Sequence, residues 1–105
     1  MVAKRMSRQP VVEHALLQVL PDKTKAFEAA FIKAAPLISA APGFIDLQLL
    51  RGLETPHTYL LLVHWRTVAD HEKGFRQSPA YQEWRRLLHH FYDPFPQVAH
   101  FSPVT

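Results

Sequence analysis

The sequence contains no cysteine and only three glycines, Gly43, Gly52 and Gly74, scattered along 105 residues. The first absence removes disulfides, thiolate nucleophiles and cysteine-ligated zinc, without fixing a compartment. The second removes the glycine-rich phosphate cradles of dinucleotide-binding and P-loop proteins, because no two of the three lie close together. A sustained excess of charge of one sign is missing too. Lys4, Arg5 and Arg8 account for the formal net charge of +3, and from Val11 onward nine basic side chains are balanced by nine acidic ones. A nucleic-acid footprint needs basic residues gathered on one face, so residues 1–10 read as a short basic tail and nucleic acid is not an expected partner. No run approaches the roughly 18 consecutive apolar residues of a membrane span, and "MVAKRMSRQP" places no apolar stretch behind its charges. No membrane partner is expected, and a cytoplasmic location is the expectation.

What is present is the composition of one globular domain, 48% hydrophobic and 20% charged, predicted to occupy residues 11–105. "VVEHALLQVL" reads as a first strand, stopped by Pro21, with Asp22 placed to cap a helix. In that helix Phe27, Ala30, Phe31, Ala34 and Ile38 form one apolar stripe, and Pro36 is expected to kink or restart it. Phe44–Arg51 and the apolar "TYLLLVHWRT" form a hairpin around "GLETPH". Thr67 and Asp70 have capping-box spacing, and Ser78 followed by Pro79 starts a further helix whose Tyr81, Trp84, Leu88 and Phe91 share a face. "DPFP" ends it, and Gln97–Ser102 is a last edge strand. The order predicts an α+β, ferredoxin-like βαββαβ sandwich, two helices on one face of a four-stranded antiparallel sheet.

Alternation within the strands predicts which face the helices cover. The odd-numbered residues Val11, Ala15, Leu17, Val19, Ile45, Leu47, Leu49, Tyr59, Leu61, Val63, Trp65, Ala99 and Phe101 are expected there, with Glu13 as the one charged intruder. The even-numbered face mixes Leu16, Leu50, Leu60 and Leu62 with polar residues. Two helices cannot cover both faces, and an exposed patch of this kind implies a partner, most simply the same face of a second subunit. In the strand order 4-1-3-2, His100, His14, His64 and Asp46 share the even face. Such a row is either a metal site or a hydrogen-bonded polar layer that fixes dimer register. His89 and His90, being adjacent on a helix, point about 100° apart and cannot share a ligand.

The stretch "PGFIDLQLLRGLETPHTYLLLVHW" and the later "GFRQSPAYQEWRRLLHHFYDPFPQVAHF" resemble the antibiotic biosynthesis monooxygenase family of the dimeric α+β barrel superfamily. The resemblance spans about Val11 to Val104. It rests on the Pro-Gly-Phe entry to the second strand, the aromatic end of the third, and the Ser-x-x-Tyr helix start. It implies a homodimer whose two sheets pair into a barrel, and a pocket in each subunit between its own sheet and helices. It also implies one of three activities. The first is a monooxygenase without metal, flavin or other cofactor, acting with dioxygen on a small phenolic or quinol-like aromatic compound. The second is a non-catalytic binding or stress-response protein of the same fold. The third is haem degradation, whose Asn, Trp and His positions fall at Ala15, Gly74 and Trp84, so that none is kept.

For the first activity the walls of the slot would be Trp65, Phe27, Phe31, Tyr81 and Trp84, with Glu13, His71 and Arg85 as the polar groups and Glu13 and His71 handling the proton. Each has a plainer alternative. The aromatic residues sit at helix or strand spacing and would pack a core without any ligand. Glu13 is either solvated at the sheet edge or marks a cavity, since an unpaired charge under helices would cost several kcal/mol. His71 is either a base near a helix start or a surface histidine, and Arg85, beside Glu83 and Arg86, either orients an anionic oxygen or belongs to an exposed face.

Overall fold

The structure, a computed structural model, describes residues 11–105; the basic tail expected over residues 1–10 lies outside them. Strand β1 (Val11–Gln18) leads through a short 3-10 turn into helix α1 (Thr24–Ser39). The hairpin β2 (Phe44–Arg51) and β3 (Thr58–Trp65) follows. A wide helical turn over Asp70–Phe75, helix α2 (Pro79–Leu88) and strand β4 (Val98–Phe101) complete the chain. The sheet is antiparallel in the order β2-β3-β1-β4. This is the ferredoxin-like α+β sandwich. Among the described residues no helix is long and apolar enough to cross a membrane.

Alternation places the core as expected in the two central strands. Ala15 and Leu17 of β1, and Tyr59, Leu61, Val63 and Trp65 of β3, are buried against Phe27, Phe31, Ala34 and Ile38 of α1 and Trp84 and Leu88 of α2. The helices meet each other through Phe31 and Trp84, edge to face with centroids 5.7 Å apart. Helical bonding runs past Pro36, whose carbonyl accepts from the Ala40 amide at 3.2 Å. The expected Asp22 cap does not form, because the 3-10 turn Pro21–Lys23 enters the helix without a side-chain cap.

Parity fails in the two edge strands, for different reasons. In β2 the register slips between Phe44 and Asp46. A bulge places two residues against one on the partner strand and reverses the alternation at that point. Phe44 therefore turns inward against Trp65, and Ile45, expected under the helices, is 53% exposed. In β4 the whole assignment inverts. Val98 pairs with Ala15 and His100 with Glu13, so these even-numbered residues face the helices, whereas Ala99 and Phe101 face away. Odd and even labels carry over between strands only if the connection preserves them, and nothing in the "DPFPQ" segment does.

The same pairing dissolves the histidine row. His100 stands on the opposite face from His14 and His64, and His14 pairs with Leu62 while His64 pairs with Val12 and Asp46. No group of three potential metal ligands occurs among the described residues. The uncovered face keeps a large apolar content, with Leu16, Leu50, Phe101 and the bulged Ile45 all exposed in the single chain.

Candidate functional site

The capping box at the end of β3 organises one wall of the site. The Thr67 hydroxyl accepts from the Asp70 amide at 3.1 Å, and the Asp70 carboxylate accepts from the Thr67 amide at 3.1 Å and its hydroxyl at 2.9 Å. These bonds and the flanking Arg66 hold the Asp70 carboxyl below its usual pKa, outweighing the opposing effect of desolvation. Gly43, at φ +86°, lets the chain pass beneath: a Cβ there would lie 2.2 Å from the Asp70 carboxyl carbon. From Asp70 the backbone turns wider than an α-helix, and the Arg76 amide reaches five residues back to the His71 carbonyl at 2.9 Å. Wide turns of this kind recur at functional sites because they redirect consecutive side chains. Here His71 and Phe75 become buried and Arg76 reaches the same cavity.

That cavity lies between the sheet and the helices and encloses about 490 Å³ of space free of protein atoms, its mouth included. The interior open to a water-sized sphere is only about 40 Å³, below the size of a pre-formed ligand pocket, so an aromatic ring enters as the walls move apart. Phe31, Tyr81, Trp84 and Tyr92 supply aromatic walls, Phe95 stands near the mouth, and Glu13, His71, Arg76 and His89 supply the polar groups. Glu13 is only 5% exposed and His71 3%, so neither is a solvated surface residue. The Trp65 indole N–H donates to Glu13 Oε1 at 2.8 Å. His71 Nε2 stands 3.4 Å from the same oxygen, a little beyond a well-formed hydrogen bond. Its other nitrogen, Nδ1, lies 2.9 Å from His100 Nε2. The His71 ring is stacked on Trp65, with centroids 5.5 Å apart and planes 18° from parallel.

Burial governs the protonation of both groups. Desolvation raises the Glu13 carboxyl above its ordinary value, although the Trp65 hydrogen bond and the Arg76 charge pull the other way. Desolvation also lowers His71 to about 3, assisted by the positive Arg76 and by His100. His71 is therefore a neutral imidazole at physiological pH, and its contact with Glu13 is not an ion pair between full charges. At the mouth, burial lowers His89, with Arg85 and Arg76 contributing. Burial raises the Tyr92 phenol, with Tyr81 and Glu13 adding to the shift.

The structure sorts the residues singled out in the sequence into three positions. Glu13, His71, Phe31, Tyr81 and Trp84 line the cavity. Trp65 stands behind Glu13 and His71, and Phe27 lies in the core against Tyr59 at 4.9 Å between centroids; neither lines it. Arg85 is exposed, with a 3.5 Å contact to Gln82, and the guanidinium that reaches the cavity is that of Arg76. Arg76 and His100 are the members that reading the sequence missed. The signal for Arg76 was its spacing of five from His71, meaningful only once the turn is known to be wide. His100 is visible in the sequence as a histidine of the last strand, but simple alternation places it on the opposite face from the one its register on β1 gives it.

Comparison with known proteins agrees with this architecture. A family model described as antibiotic biosynthesis monooxygenase matches residues 10–87. The chain is 50% identical over 94 residues to the uncharacterised protein YczJ of Bacillus subtilis strain 168, covering 90% of this chain and 99% of that one. A candidate antibiotic biosynthesis monooxygenase from Bordetella bronchiseptica superposes with a TM-score of 0.89 at 38% identity, over 92% of this chain and 99% of its own. SnoaB of Streptomyces nogalater, a cofactor-independent oxygenase, shares the fold with a TM-score of 0.80 at 18% identity, over 92% of this chain and 95% of its own. The chain belongs to the antibiotic biosynthesis monooxygenase family.

Proposed function

We propose that the protein is a cofactor-independent monooxygenase for a small phenolic or quinol-like aromatic compound. The observation that carries this reading is a buried carboxyl and a neutral imidazole converging on an aromatic-walled cavity. Family membership supports it, as does the description of SnoaB as a cofactor-independent oxygenase. Glu13, as carboxylate, takes the acidic proton of the substrate, and the Arg76 guanidinium stabilises the oxyanion so formed. The electron-rich anion reduces dioxygen, a carbon–oxygen bond forms, and the hydroperoxide eliminates water to leave a carbonyl. One oxygen atom enters the product and the other leaves as water, all four electrons that reduce dioxygen coming from the substrate. Phe31, Tyr81 and Trp84 hold the ring plane and exclude water.

Dioxygen uptake with a panel of hydroquinones and polycyclic phenols tests this. Metal-stripped protein is expected to exceed the autoxidation background, and Glu13→Gln to lose about 10²–10⁴-fold of that excess. No uptake by folded protein across the panel would discard the oxygenase and leave a ligand-binding role for the cavity.

We further propose that the uncovered sheet face joins two copies into a homodimer. Four of its large apolar side chains are 43–54% exposed in the single chain, and large apolar side chains left open on one sheet face favour an interaction surface. Leu62, at mid-strand on that face, pairs with His14 and Gln48 across the two neighbouring strands. Leu62→Glu is expected to sediment as a folded monomer where the parent sediments as a dimer. A variant that keeps the parent profile would rule the interface out.

A further inference from the structure

We propose that His71 and His100 form a two-histidine proton relay, which exchanges the proton of the buried Glu13 carboxyl with solvent at the sheet edge. The inference rests on the reading of Glu13 as the group that handles the substrate proton, and it adds a positioning residue, His100, that does not line the cavity.

The geometry is a connected line. Glu13 and His100 are direct cross-strand partners on the helix-covered face, and His71 bridges above them, one ring nitrogen toward each. Each imidazole nitrogen is a donor or an acceptor according to the tautomer. When Glu13 is ionised, His71 presents its Nε2–H to the carboxylate, its Nδ1 accepts, and His100 donates from Nε2. The Nδ1 of His100 is then a free acceptor, and among the described residues nothing hydrogen-bonds to it. His100 is half-buried on β4, an edge strand paired only with β1.

Loading the relay needs three transfers. Water delivers a proton to His100 Nδ1, the Nε2 proton of His100 moves to His71 Nδ1, and the Nε2 proton of His71 moves to Glu13. One proton enters, none is left over, and each ring ends as the opposite neutral tautomer. Reversing the steps releases a proton. The three transfers run in concert, so that neither ring stands as an imidazolium, the species that burial beside Arg76 opposes at His71. The 3.4 Å separation of His71 from Glu13 must close by about half an ångström for transfer, and such contacts commonly tighten once substrate is bound.

Other charged and titratable groups face the relay. Arg76 at the end of the wide turn is a permanent cation, and Tyr81 of α2 and, beyond that helix, His89 and Tyr92 lie around the cavity. β3 contributes Trp65, and α1 contributes only the apolar Phe31 and Ile38 to the cavity wall.

The relay can be tested without any substrate, so its fate is separable from that of the oxygenase reading. Imidazole nitrogen spectra of the ¹⁵N-histidine-labelled full chain, with the Glu13 carboxyl followed by ¹³C, are recorded from about pH 4 to 8, the range spanning the ordinary Glu and His values. His71 is expected to remain neutral and to exchange Nε2–H for Nδ1–H as Glu13 takes up its proton, with His100 switching in step. In His100→Phe the exchange of that proton with water is expected to slow about tenfold or more. An imidazolium signal from His71, a tautomer indifferent to Glu13, or a Glu13 that stays ionised throughout would each overturn the relay. An unchanged exchange rate in His100→Phe would overturn it as well, because the proton would then travel through the cavity mouth.

Discussion

Replacing Trp65 with alanine is expected to lower the unfolding free energy by about 4–8 kcal/mol. Trp65 is fully buried; its ring packs against Phe44 at 6.0 Å and Phe75 at 6.1 Å between centroids and stacks on His71. Truncation leaves a cavity where those contacts were, which alone costs about 3–5 kcal/mol for an indole. It also removes the donor to Glu13 Oε1, and a buried carboxyl that loses its hydrogen bond adds a further penalty of about 1–3 kcal/mol. Against a typical stability of about 5–15 kcal/mol, the variant would stand at the edge of folding at room temperature. Trp65→Phe separates the two contributions, since it keeps much of the volume and none of the N–H. Urea denaturation is expected to place it about 1–3 kcal/mol below the parent. A phenylalanine variant as stable as the parent would show that the bond to Glu13 contributes nothing.

The second large effect is in acid. His71 titrates near 6.5 when exposed and near 3 in the folded chain, so below pH 6.5 the unfolded state binds a proton that the native state refuses. Stability from this group is complete above 6.5 and is lost as the pH falls through the folded value. Between pH 6.5 and 4 the loss is roughly 2–3 kcal/mol, allowing for some solvent screening at the ring. Glu13 acts in the opposite sense, because its folded pKa is raised. Its ionisation subtracts stability as the pH climbs above the ordinary carboxylate value. Glu13→Gln is thus expected to gain stability at neutral pH even while it loses activity. Urea titrations of the parent and of His71→Gln across this range provide the check. If the slope of stability against pH is the same in both, His71 does not fold as a neutral imidazole.

The elements most legible in the sequence were those specified by local chemistry or by simple alternation. Thr67 and Asp70 pair as their spacing predicts, Ser78 and Pro79 open α2, and the period of two in β1 and β3 names the central core. Three features escaped because each depends on distant contacts. The bulge at Ile45 is a product of matching β2 to β3 while Phe44 fills the space beside Trp65. The inward face of β4 is chosen by its register on β1, which no property of residues 98–101 alone determines. The five-residue reach from His71 to Arg76 looks, in one dimension, like any helical stretch. The site inherits all of this. Its aromatic walls and its buried acid were readable as an exception to a pattern, whereas its second histidine and its arginine were fixed by register and turn geometry.

The position of β1 in the sheet has a bearing on how the protein comes into being. The earliest of the described strands lies between β3 and β4, and its Glu13 pairs with His100. Until that last strand emerges, the nascent polypeptide can bring Glu13 together with Trp65 and His71 but cannot supply His100. Pairings across so much chain close slowly, because loop entropy is lost before any contact rewards it. The surroundings of Glu13 are therefore complete only once β4 is in place, and a variant cut before His100 would retain the hairpin and both helices while lacking the ring that stands against His71.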